Sequence, residues 1–152
     1  MRRRLIEDLM VALTDLQNAS EMADAAISER MGLNRTDSRC VAYLITRGPM
    51  ASGELAELAG LTPGALTVAV DRLERAGFAE RARDVADRRR VLIHPTDKAR
   101  TLAEDAWGQA VRESEAQFSA YSDDQLSLLS DFVRGQVAQQ RRVAERMRAT
   151  PL

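Results

Sequence analysis

The segment from Gly53 to Gly77, GELAELAGLTPGALTVAVDRLERAG, admits few folds. Its apolar residues fall into two short runs of helical period, Leu55–Leu58 and Leu66–Ala69–Val70–Leu73, with Leu61 between them. Gly60 supplies the left-handed turn that lets two helices cross steeply. Ala56, small and four residues earlier, permits their close approach. Thr62 is placed to cap the second helix, and Pro63 sits at its first position, where a missing N–H costs nothing. Gly77 ends it. The outward face is then Ala65, Thr67, Val68, Asp71, Arg72 and Arg75. Small residues near that helix start let the backbone approach a groove floor, where Thr and Val methyls can meet thymine methyls. Thr62, Pro63 and Gly64 can approach a phosphate, and Arg72 is the candidate for a guanine or phosphate contact. The same Ala, Gly and Leu placements also occur in helical hairpins with no nucleic-acid role.

The next segment narrows the choice. Phe78 to His94 reads as a β-hairpin, with strand-forming Val91, Leu92 and Ile93 and a tip at Asp84–Arg89. Arg81, Arg83, Arg88, Arg89 and Arg90 crowd into ten residues with Asp84 and Asp87. Such a run can be a plain solvated loop. Directly after a probing helix, it also suits a narrow minor groove, whose negative potential attracts arginine. Arg88 is the favoured inserted residue, with Asp87 bracing it or Arg89. Which arginine does which job stays open.

Net charge is −1, yet residues 62–96 hold seven Arg against five acids, while residues 1–31 hold four against six. A local basic patch on a near-neutral chain fits a selective binder better than an indiscriminate one. The single cysteine, Cys40, rules out an internal disulfide and any cysteine-based zinc site, and fits a reducing cytoplasm. No apolar run approaches the ~18 residues of a membrane span. After MRRRL, Ile6-Glu7-Asp8 breaks any signal-peptide core. Neither a metal cluster nor a nucleophile–base set is visible, so no enzyme chemistry or cofactor is implied.

The rest is helical. Residues 5–31 have the period of one helix about 40 Å long, at 1.5 Å per residue, too long for any neighbour in a small monomer. A second copy is its natural partner. Gly32-Leu33-Asn34 ends it. A second helix spans residues 36–47 with Cys40, Val41, Leu44 and Ile45 inward, and Ser52 is placed to cap the third. Thr96 caps a fifth helix to about Tyr121. Ser122 and Gln125, at capping-box spacing, open a last helix with Leu126, Leu129, Phe132, Val133, Val137, Val143 and Met147 inward. The expected architecture is mostly α with a small β-hairpin wing. It is one domain over 1–152, in which 1–31 and 97–152 form a helical pairing region and 32–96 a winged helix-turn-helix.

The stretch from Glu54 to Thr96, above all DRLERAG (Asp71–Gly77) and the DxxDRR wing (Asp84–Arg89), resembles the MarR family of bacterial transcription regulators. The order of elements extends the resemblance over nearly the whole chain. It implies a homodimer paired through terminal helices, bound to a pseudo-palindromic duplex. Residues 62–72 would enter the major groove and Arg88 the minor groove, with Arg75, Arg83, Asp87 and Arg89 beside them. His94-Pro95-Thr96 departs from the family's usual Leu-Thr, and the retained Thr cap implies a local adjustment with the wing kept. The family also implies a repressor relieved by a small aromatic or phenolic effector. Met22, Met31, Tyr43, Leu44 and Trp107 are available to such a pocket, and equally to plain core. A redox regulator using Cys40 is an alternative, although the family's redox cysteine usually lies in the first helix. A winged-helix protein-interaction module without DNA binding is another. His94 could touch phosphate or merely pack.

Overall fold

The computed structural model describes residues 1–85 and 87–149. Ala86 of the expected wing tip and residues 150–152 of the expected domain lie outside that range. The chain divides into two compact units, Met1–Gly108 and a second beginning at Gln109.

In the first unit, α1 (Arg2–Met31) ends at Gly32, whose φ of 64° is left-handed. Its amide donates to Glu29 O at 3.0 Å. Along α1 only Ser28 and Met31 are buried; Leu5, Leu9 and Leu16 stay exposed. The second helix, α2 (Arg35–Arg47), is capped by Asn34, whose Oδ1 accepts the Asp37 amide at 2.9 Å. Asn34 therefore opens α2 as well as following the end of α1. A two-residue strand, β1 (Met50–Ala51), comes next, then α3 (Ser52–Ala59). The expectation that Ser52 caps α3 fails. Ala51 occupies the cap without a side-chain bond, because it pairs with Leu92 and delivers extended backbone straight into the helix. Gly60 makes the left-handed turn at φ 68°. In α4 (Pro63–Arg75), Thr62 caps as expected, its Oγ1 accepting the Ala65 amide at 3.2 Å.

The wing is β2 (Ala79–Arg83) and β3 (Val91–Pro95), antiparallel from Ala79↔Pro95 to Arg83↔Val91. β1 adds to the far side of β3, giving the order β1-β3-β2. Pro95 sits at the last pair of the ladder, where the hairpin absorbs it. Thr96 then caps α5 (Asp97–Phe118) through the Ala99 amide at 3.2 Å and donates its hydroxyl to Gly77 O at 2.7 Å. The departure at residues 94–96 leaves the wing intact.

Leu44, Leu55, Leu66, Leu73, Ile93, Val41, Val70 and Cys40 are fully buried in one cluster drawn from α2, α3, α4 and the sheet. Burying each leucine contributes roughly 1.5–3 kcal/mol, so this cluster fixes the lobe. In the second unit, α6 (Asp123–Ala149) opens with the expected capping box. Ser122 N–H donates to Gln125 Oε1 at 2.9 Å, and Gln125 N–H to Ser122 Oγ at 3.3 Å. The residues read as inward are not buried: α6 has no buried residue, and Leu129, Val133, Val137 and Met147 are exposed. An apolar stripe needs a partner surface, and among the described residues this one lacks it.

Candidate nucleic-acid interface

Buried Leu66, Ala69, Val70 and Leu73 anchor the rear of α4. This leaves Thr62, Pro63, Gly64, Ala65, Thr67 and Val68 exposed in a row that carries no acid. Thr67 Oγ1 donates back to Pro63 O at 3.0 Å, which satisfies the hydroxyl within the helix. A Cβ built at Gly64 meets nothing within 4 Å. The protein's own packing therefore does not require glycine there.

The second half of α4 differs from the sequence expectation. Arg72, 39% exposed at the side chain, is turned partly inward. Its Nε donates to Asp37 Oδ2 at 2.9 Å and its Nη2 to Asp37 Oδ1 at 2.7 Å. The reason is that Asp37, 5% exposed at the side chain, needs a cation, and Arg72 is the one that reaches it. Asp71 is likewise paired, with Arg81 of β2 at 2.8 Å, and Arg81 also meets Glu74. Asp71 and Arg81 thus tie wing to helix. Arg75 stays exposed, its Nε on Asp71 O at 3.1 Å.

At the wing tip, Asp87 braces backbone: its Oδ1 accepts the Arg89 amide at 3.0 Å, and its carbonyl accepts the Arg90 amide at 2.9 Å. The expectation that its carboxylate orients an arginine head is therefore replaced by a turn that presents Arg88 and Arg89 outward. Arg83, Arg88, Arg89 and Arg90 are exposed, and among the described residues no ion pair engages their guanidinium groups. His94 is half-buried opposite Glu80 in the ladder, its Nε2 buried without a hydrogen-bond partner among the described residues.

A cleft of about 260 Å³ opens between α1, α2 and α5. Asp24, Ser28, Arg35, Ser38, Arg39, Ala42, Tyr43 and Trp107 line it. Of the five expected pocket residues, Tyr43 and Trp107 are there. Met31 and Leu44 belong to the core, and Met22 is exposed. The cations Arg35 and Arg39 were missed. Arg35 lies 3.4 Å from Glu21, and Arg39 Nη1 donates to Ala59 O at 3.3 Å, the end of α3. Asp37 was missed too, although an acid in the apolar register of Cys40, Val41 and Leu44 signals a hidden cation.

Cys40 is fully buried, and its thiol is pushed up to about 11, first by burial and then by Asp37. A protonated, enclosed thiol is a poor nucleophile. Below about pH 9 the thiol is neutral in both folded and unfolded chains, so it weakens the fold only as pH rises from there toward 11. Native protein at pH 8 should therefore resist an aromatic disulfide reagent for hours and react within seconds in denaturant. Rapid native labelling would restore Cys40 as a redox candidate.

The MarR family model matches residues 33–91. The HTH-type transcriptional regulator YcgE of Bacillus subtilis is 35% identical over 108 residues, 71% of this chain and 70% of the relative. The homoprotocatechuate degradative operon repressor of Escherichia coli is 30% identical over 131 residues, 84% of this chain and 88% of that one. Among solved structures, NadR in complex with 4-hydroxyphenylacetate shares the fold with a TM-score of 0.65 at 22% identity, over 83% of this chain and 89% of that one.

Proposed function

Because the chain belongs to the MarR family of DNA-binding transcription regulators, we propose that it acts as a homodimeric repressor reading a pseudo-palindromic duplex through α4 and the wing. The observation that carries this is the pairing of an acid-free, exposed helix start, Thr62–Val68, with a wing whose exposed tip arginines have no ion-pair partner among the described residues. Thr62–Val68 meets base edges in the major groove, and Arg88, with Arg83 and Arg89 beside it, meets the adjacent minor groove. Gly64 allows close backbone approach. Arg75 lies toward the phosphates. The exposed apolar stripes of α1 and α6 support pairing of two copies through residues 1–31 and 97–152, with 32–96 as the reading lobe. Pairing would set two α4 helices about one helical turn of DNA apart, ~34 Å.

Selection from a random duplex pool should return a motif with two-fold symmetry. On that motif, Arg88→Ala should weaken binding and reduce the salt dependence by about two counterions per dimer, one from each wing. An Arg88→Ala protein with parental affinity at matched salt contradicts the wing assignment. A flat salt dependence in the parent favours a protein-interaction module instead.

The cleft supports relief by a small aromatic acid. It sets Tyr43 and Trp107 beside Arg35 and Arg39. Its volume falls just under the roughly 300–1,000 Å³ usual for drug-sized ligands, which suits a single ring. Millimolar 4-hydroxyphenylacetate or a related single-ring acid should release the parent from its motif. Trp107→Ala should bind the motif normally and lose the response. Indifference of the parent to a panel of such acids removes this part of the reading.

A further inference from the structure

Asp37 is a buried acid with no place in the DNA surface, yet three hydrogen bonds hold its carboxylate. Asn34 Nδ2 donates to its Oδ2 at 2.8 Å, while its own amide donates to Asn34 Oδ1 at 2.9 Å. The carboxylate is thereby held from within the first turn of α2, independently of α4. Arg72 then grips both oxygens with a planar fork, Nε and Nη2 at 2.9 and 2.7 Å. A forked pair sets direction as well as distance.

The apolar seam beneath α4 does not do this. Hydrophobic contact between Leu66, Val70, Leu73 and their neighbours is non-directional, so it resists separation more than rotation or sliding. The Asp37–Arg72 fork restrains both. Arg72 is four residues from Val68, one helical turn along the same side of α4. A small rotation at Arg72 therefore re-aims the exposed row Thr62–Val68.

We infer that Asp37 is a positioning residue for sequence discrimination, acting through Arg72 to fix the orientation of α4 in the groove. This rests on α4 being the DNA-reading helix. It is distinct from a direct contact, because two of the three guanidinium nitrogens are committed inside the protein. It also reverses the sign that simple electrostatics gives. Removing an acid near a polyanion should tighten binding; loss of positioning should loosen specific binding alone.

The test uses the motif selected by the parent and a scrambled duplex of equal length. Affinities are measured across a salt series, with folding monitored by circular dichroism. Asp37→Asn is expected to lose about tenfold in specific affinity, the scale of one mismatched base pair, while non-specific affinity and salt slope hold. Arg72→Lys, on the half-exposed partner, keeps the charge without the fork. It is expected to lose specific affinity to a lesser degree and serves if Asp37→Asn does not fold. The double variant should be no worse than Asp37→Asn alone. The inference is overturned if Asp37→Asn keeps the parental ratio of specific to non-specific affinity, or if Arg72→Gln lowers the salt slope by about two per dimer, one from each protomer, while Asp37→Asn binds more tightly. A parent that ignores every duplex overturns the DNA reading and this inference together, whereas a parent that binds selectively isolates the inference.

Discussion

The close packing of α3 against α4 across the Gly60 turn is the constraint on which the rest depends. It requires a left-handed residue between two helices and small side chains at the crossing. Gly60 and the buried pair Ala56 and Ala59 meet those conditions. Once the crossing is set, Leu55 is buried in one cluster with Leu66, Val70 and Leu73, and one side of α4 is committed to the core. The opposite side is then exposed whatever its composition. That it begins with residues 62–68, small and free of acids, turns a packing consequence into a surface that can enter a groove.

Polar pairs refine what the apolar core leaves loose. Arg81 joins β2 to Asp71 and Glu74 of α4, and Arg72 joins α4 to Asp37 of α2. These pairs consume arginines and acids along the second half of α4, and the tip arginines remain for a partner. Net charge says little about such a molecule; the division between committed and uncommitted cations says more. Lys98 adds to the same frame, its Nζ donating to Ala76 O at 2.7 Å and lying over the Phe78 ring. It holds the end of α4 against the start of α5.

Much of this was legible in the sequence because the signals are local. Thr62-Pro63, Thr96 and Ser122…Gln125 mark helix starts within three residues of the groups they cap, and Gly32 and Gly60 mark turns by the backbone they alone adopt easily. The four exposed tip arginines followed from their place in the hairpin. The rest depended on distance in sequence. Asp37 and Arg72 are 35 residues apart, and periodicity assigns a residue to a face without naming its partner. Arg72 therefore read as an outward contact. The two-residue strand β1 has too few residues to show alternation, and it displaced the cap of α3 from Ser52 to Ala51. The cleft was half visible: its aromatics stood out, while nothing in the spacing of Arg35 and Arg39 sets them apart from other charges on α2.

A hydroxyl-radical footprint of the protein on its selected duplex tests the central claim most directly. The account predicts protection in a two-fold symmetric pattern, with major-groove centres about one helical turn apart and a minor-groove block outside each. A footprint confined to one site without symmetry, or no protection at a protein concentration that shifts the duplex completely, would contradict it.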